Sequence, residues 1–366
     1  MIIYYLTILV LSGLGFLFTE KKKGVKNTIF YLTIVFFIFT ALSSFRYAIG
    51  FDYFSYRDIY VNMSVWTFGD IFHYCWYEPL FFIVCKLFSS IGCSFQIFLL
   101  VINTFLFFIA VKFIYRYSKL PWMSVYLYIT LQFLAYNMNL IRQSIAVAFF
   151  LLAYPYLKNR KLLPFSILFL IGGLFHNSLL FLFPFYFLLP KKTTKKLLGI
   201  LLVLVLLGYF LFDPVFSLLL PFLPEKYVLY QTKVFWNSNS FKYIVPSATY
   251  CILMYLFRNR IDDPKKKTIY LNSALYTFLI SLFITKHFIL ERFSIYPFAL
   301  SLIAIPEIIV SYQGKDHSKR NILTYHRVVF LFLLFGGLYF LFSVNEGFHN
   351  VYPYVSLLDK SSSSPN

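Results

Sequence analysis

Long apolar runs dominate the chain, and the short polar gaps between them carry most of its charge. A run of roughly 20 apolar residues spans the hydrocarbon of a bilayer as a helix, and somewhat shorter runs do so when charged residues anchor their ends. The predicted spans are 1–18, 28–45, 93–115, 122–137, 141–157, 162–175, 179–190, 197–223, 243–257, 268–284, 294–312 and 328–343, which makes about 12 crossings. The stretch 79–92 is apolar but short and carries Lys86, so it reads as a helix that lies in the interface or dips in and returns. The pattern thus predicts an all-α, polytopic transmembrane helical bundle. It forms a single integral membrane domain over 1–343 with outer loops 46–78 and 224–242, followed by an outer C-terminal tail, 344–366, whose last residues (SSSSPN) read as disordered.

Composition supports the membrane reading, since 60% hydrophobic against 13% charged residues over 366 positions is too apolar for a water-facing fold. The net charge of +19 comes from 33 Lys and Arg against 14 Asp and Glu. Lys21, Lys22, Lys23, Lys191, Lys192, Lys195, Lys196, Lys265, Lys266 and Lys267 sit in gaps between apolar runs, so they read as cytoplasmic anchors and not as a nucleic-acid face. Gaps 19–27, 116–121, 158–161, 191–196, 258–267 and 313–327 hold more than twice the Lys and Arg of the alternate gaps, which puts both termini outside. The first segment has no basic leader and no small-residue cleavage site, so it reads as a retained span. Cys75, Cys85, Cys93 and Cys251 form no CxxC pair and have no His at ligand spacing, so neither a metal site nor a redox motif is expected.

Charges not explained by anchoring mark the candidate chemistry. The outer gap from Arg46 to Glu78 holds Asp52, Arg57, Asp58, Asp70 and His73 among many tyrosines. Aromatics gather at any headgroup belt, but a dense cluster with carboxylates also suits a sugar. In Asn137-Met-Asn-Leu-Ile-Arg142-Gln143-Ser144, Asn139 reads as a helix N-cap and Arg142 as a first-turn cation, a pairing that favours an anion; the bland alternative is an arginine that snorkels to the headgroups. Arg in place of Lys suits bidentate binding of phosphate. In Gly172-Gly173-Leu-Phe-His176-Asn177-Ser178 a helical hairpin breaks at a histidine, able to exchange a proton near neutrality or simply to cap. Glu291 and Arg292 head another outer helix, as a local ion pair or as functional charges.

Arginines, a carboxylate or histidine, and aromatics at one membrane face suit glycosyl transfer from a polyprenyl-diphosphate-linked sugar. Cations stabilise the leaving diphosphate while a base takes the proton of the acceptor hydroxyl. No phosphate-binding GxxxxGK[ST] loop and no GxGxxG after a strand occurs, and the activated sugar needs no cofactor. In order along the chain, Arg46-Tyr-Ala-Ile-Gly50-Phe-Asp52-Tyr53, Glu78-Pro79, Asn139-Leu-Ile-Arg142-Gln143, Phe175-His176-Asn177-Ser178 and Glu291-Arg292-Phe-Ser294-Ile-Tyr296 resemble the EpsG-like branch of the Wzy-type polysaccharide polymerases.

The resemblance implies a multi-pass enzyme of the bacterial cytoplasmic membrane that joins lipid-linked oligosaccharide repeats into exopolysaccharide, capsule or O-antigen on the outer face. A repeat-unit flippase and a chain-length regulator would be its partners. On that expectation Arg142 and Arg292 bind the diphosphate, Arg46 assists or orients the first outer loop, and Asn139, Gln143 and Tyr53 contact substrate. Asp52 is the first choice of base and His176 the second, with Glu78 as a sugar-binding or orienting carboxylate. A lipid-linked glycan ligase would use the same chemistry on another acceptor. A flippase or other transporter would spread charge along a central path and often show repeats. An acyltransferase would need its histidine beside a cytoplasmic cofactor entrance.

Overall fold

The computed structural model describes residues 1–22, 24–75, 78–219, 221, 241–313 and 319–359. Nearly all of the predicted outer loop 224–242, and the last residues of the tail, lie outside that set. All regular structure among the described residues is helical, apart from one isolated antiparallel bridge between Arg46 and Ser356. In chain order the α-helices are α1 Ile2–Gly15, α2 Val25–Ser44, α3 Tyr53–Asn62, α4 Phe68–Tyr74, α5 Pro79–Ser90, α6 Phe95–Tyr117, α7 Pro121–Thr130, α8 Phe133–Asn139 and α9 Ile141–Lys158. They continue with α10 Leu162–Phe175, α11 Ser178–Phe181, α12 Phe185–Leu188, α13 Lys195–Leu219, α14 Phe241–Leu256, α15 Pro264–Phe283, α16 Glu291–Phe298, α17 Ser301–Val310 and α18 Lys319–Asn345. Six helical stretches among the described residues are long and apolar enough to cross a membrane: Ile2–Lys21, Val25–Ser44, Phe95–Tyr117, Lys195–Leu219, Glu291–Val310 and Ile322–Asn345. The protein is therefore a multi-pass helical membrane protein.

Several runs that the sequence presents as continuous are broken. The run 122–137 divides into α7 and α8 at Gln132, a fully buried residue in the left-handed region (φ 70°). Tyr352 donates its hydroxyl to Gln132 Oε1 at 2.7 Å, so a contact from far along the chain holds the break. The run 179–190 becomes two single turns, α11 and α12, with Pro184 between them. At 12 residues α5 is about 18 Å long, well short of the roughly 30 Å of hydrocarbon, in keeping with a helix that does not cross alone.

The chain forms two compact units. The first holds 1–156, 161–183 and 302–366. Within it α2 packs along α6, and α1 lies against α7, where Gly15 approaches Trp122 and Tyr31 so closely that no side chain fits. Past α18 the chain reverses through Gly347, His349 and Asn350, all at positive φ, and returns along residues 45–51. Tyr47 N–H donates to the Val355 carbonyl at 2.9 Å, Leu357 N–H to Phe45 at 2.9 Å, and Gly50 N–H to Asn350 at 3.0 Å. Residues 348–357 are thus paired with the start of the first outer loop.

The second unit holds 157–160 and 184–301. Its α14 and α15 form an antiparallel pair tied by hydrogen bonds between Ser247 and Ser281 (2.7 Å) and between Tyr250 and Ser273 (2.8 Å). α13 has no buried residue and, apart from Lys195, Lys196 and Asp213, is almost wholly apolar, as suits a lipid-facing helix. Lys158 pairs with Asp263 at 2.9 Å, and Lys286 with Asp213 at 2.8 Å.

Candidate active site

Glu78 precedes Pro79, whose fixed φ suits the first position of α5, and its side chain caps no helix. Only 2% exposed, the carboxylate receives donors from two other elements. Arg142 Nη1 donates to Oε2 at 2.6 Å, His176 Nδ1 lies 2.7 Å from Oε1, and the backbone N–H of Asn177 donates to Oε1 at 3.2 Å. A carboxylate in so dry a place is costly unless charge and hydrogen bonds compensate it, and here both do. Because a carboxylate only accepts, Nδ1 of His176 carries a proton, and the neutral ring keeps its lone pair on Nε2. His176 itself stands where α10 ends, because Gly172 and Gly173 let α11 fold back so tightly that a Cβ on either would meet a leucine of α11 within 2.6 Å.

Arg142 lies in the first turn of α9, its side chain 24% exposed. Tyr56, Phe81 and Phe82 surround its guanidinium at 5.7–6.0 Å. Cation–π contacts of this kind hold a guanidinium by its faces. Tyr56 is buried beside it. Desolvation raises the Tyr56 phenol and Arg142 opposes that shift, so the hydroxyl stays protonated at neutral pH.

A second group adjoins the first through α3, where Tyr53, Tyr56 and Tyr60 recur at helical spacing on the buried face. The backbone N–H of Asp52 donates to Asn139 Oδ1 at 3.0 Å, which settles the orientation of that amide. Its Nδ2 therefore donates to His349 Nδ1, 2.8 Å away, so the neutral tautomer of His349 has its proton on Nε2. Gly50 (φ 93°) is required here, since a Cβ would lie 3.0 Å from Asn139 Oδ1. The Asp52 side chain remains partly exposed.

Arg46 is fully buried among Tyr53, Tyr56, Tyr4 and Tyr354, with Nη1 donating to the Ser43 carbonyl. Burial pushes its guanidinium down to about 10. Among the described residues no acceptor meets its Nε or Nη2.

All of the candidates read from the sequence except Glu291 and Arg292 thus belong to the first unit. Glu78, Arg142 and His176 bond directly, Asp52 and Asn139 bond directly, and Arg46 stacks on Tyr53 at 5.9 Å. Gln143 is buried beside Arg142. Arg292 opens α16 in the second unit, next to the buried Glu291. The sequence reading missed Tyr56 and His349. The period of the α3 tyrosines signals Tyr56, whereas nothing local marks His349. Among the described residues no group of three or more His, Cys, Asp or Glu side chains could hold a metal ion.

The chain is thus a multi-pass helical membrane protein in which one buried carboxylate joins an arginine, a group that can bind an anion, to a histidine, a group that can exchange a proton. The chain belongs to the EpsG family, which matches residues 29–356 and so takes in every candidate residue. That family is the Wzy-type polymerase family, and membership points to a membrane polysaccharide polymerase. Comparisons with curated proteins and with solved structures give no match.

Proposed function

We propose that this protein is a glycosyltransferase that polymerises polyprenyl-diphosphate-linked oligosaccharide repeats into exopolysaccharide, capsule or O-antigen on the outer face of the cytoplasmic membrane. The accompanying topology is twelve crossings with both termini outside, supported by the distribution of Lys and Arg. The observation that carries the reading is the Glu78 carboxylate held between Arg142 and His176.

In the reaction, an acceptor hydroxyl attacks the anomeric carbon of the donor glycan. The bond from that carbon to the diphosphate oxygen breaks, and polyprenyl diphosphate leaves with the electron pair. Arg142, partly exposed, stabilises the charge that develops there, and Arg292 remains a second candidate for that role. His176 takes the hydroxyl proton on Nε2 while Glu78 fixes its tautomer and orientation, an arrangement general to histidine bases. The carboxylate on its Nδ1 supports His176 as the base ahead of Asp52, the first choice from the sequence. Asp52 has its own support, because its side chain is the more open of the two. Arg46, fully buried, orients the first outer loop, and Tyr53, Asn139 and Gln143 shape the sugar site.

The test uses the purified chain in proteoliposomes with lipid-linked repeats, and reads polymer length by gel. Arg142→Lys keeps the charge and loses the fork, so it should insert normally and make no polymer. His176→Gln should be inactive, whereas Asp52→Asn should retain chain growth at a lower rate. Activity in His176→Gln together with an inert Asp52→Asn would exchange the two roles. A single transfer to a different acceptor, without a ladder, would make the protein a ligase.

A further inference from the structure

The second unit holds a cavity of about 490 Å³, within the roughly 300–1,000 Å³ usual for small-molecule sites. It opens among the 190–195 loop, the end of α14 and the start of α15. Among the described residues three cations line it, Lys192, Arg258 and Lys267, and no carboxylate does. Its remaining wall includes Tyr255, Leu271 and Leu275, so a strongly basic mouth continues into an apolar surface.

The mouth is held in shape. Asn272, 2% exposed, places its amide nitrogen 2.7–3.1 Å from the carbonyls of Leu188, Leu189 and Lys191, and accepts the Thr193 hydroxyl at 2.6 Å. That fixes the loop carrying Lys192. Arg258 donates Nη1 to the Tyr255 carbonyl at 2.7 Å and lies 5.7 Å from its ring centre, which leaves the other donors of its fork for a ligand. Lys267 contacts Asn259 Oδ1 at 3.2 Å. The N-terminus of α15 is already occupied by Asp263, which accepts from the amides of Lys265 and Lys266, so side-chain charge supplies the attraction here.

We infer that this cavity binds the phosphodiester headgroup of an anionic phospholipid, with the glycerol and upper acyl chain against Tyr255, Leu271 and Leu275. Headgroup pockets of basic residues between transmembrane helices follow from simple electrostatics, each Lys or Arg near an anionic surface contributing about a fivefold gain in binding. A general anchoring cluster needs neither a concave pocket of this volume nor the Asn272 brace. The site lies in the second unit, and the inference does not depend on the proposed reaction.

The test is native mass spectrometry of the full chain in detergent, titrated with dioleoyl phosphatidylglycerol, dioleoyl phosphatidylcholine or inorganic phosphate. Phosphatidylglycerol should be retained in preference to phosphatidylcholine. Lys192→Gln, Arg258→Gln and Lys267→Gln together should weaken it at least about tenfold. A control with Lys195→Gln, Lys196→Gln and Lys265→Gln removes equal charge from neighbouring exposed positions outside the cavity and should leave binding unchanged. Equal loss in both variants, equal retention of the two lipids, or displacement of phosphatidylglycerol by comparable concentrations of phosphate would each overturn the inference. Should the triple variant fail to insert, Lys192→Gln alone, at an exposed position, should cost about fivefold, and no loss there would reject the site.

Discussion

At the scale of single residues, Glu78 has the most to lose. Glu78→Gln keeps the size but removes the charge that offsets Arg142 and the acceptor that fixes His176. Breaking a buried ion pair costs about 3–5 kcal/mol, and the partial exposure of Arg142 places this one near the lower end. The expected outcome is a clear fall in the temperature of unfolding and no polymer. Glu78→Ala with Arg142→Ala, which leaves neither charge stranded, should recover stability without activity. If the single and double variants unfold at the same temperature, the stranded charge of Arg142 is not what destabilises Glu78→Gln.

Much of this group could be read from the sequence because the residue types were conspicuous: an arginine in a first turn, a histidine at a hairpin, a carboxylate before a proline. Their convergence could not, since Glu78 stands 64 residues from Arg142 and 98 from His176. The ranking of His176 over Asp52 depends on which one a carboxylate holds, and spacing along the chain carries no such information.

Among the elements, the helices announced themselves by apolar length and their interruptions did so unevenly. Pro184 marks the break between α11 and α12 in the sequence itself. The break at Gln132 has no local signal, since its neighbours are apolar and the bond from Tyr352 comes from 220 residues away. The same blindness applies to residues 348–357, which read as the start of a tail and instead pair with 45–51. Removing 348–359 would strip the backbone partners of Tyr47 and Gly50 and the contact between His349 and Asn139. We expect such a chain to insert at normal abundance and fail to polymerise, as judged by membrane fractionation beside the polymer assay. Normal polymer from the shortened chain would show that the pairing is dispensable.

For the whole molecule, the charge asymmetry makes a prediction independent of the chemistry. Cysteines at Lys22, Lys195 and Lys266 should resist a membrane-impermeant thiol reagent applied from outside, and a cysteine at Asp52 should react, each measured in a background lacking the four native cysteines. Labelling at position 195 from outside would undo the topology. The six helices long enough to cross by themselves leave the other predicted crossings to shorter or broken segments, as expected where a membrane protein surrounds polar groups with helix ends.

The pairing of residues 348–357 with 45–51 also bears on biosynthesis. The ribosome makes Arg46, Asp52, Glu78, Arg142 and His176 long before His349, yet the corner formed by Asp52 and Asn139 is closed only when His349 arrives, after α18. A half-made chain in the translocon therefore holds its arginines and carboxylates without the finished corner. The corner around Asn139 is thus among the last parts of the first unit to be completed during synthesis.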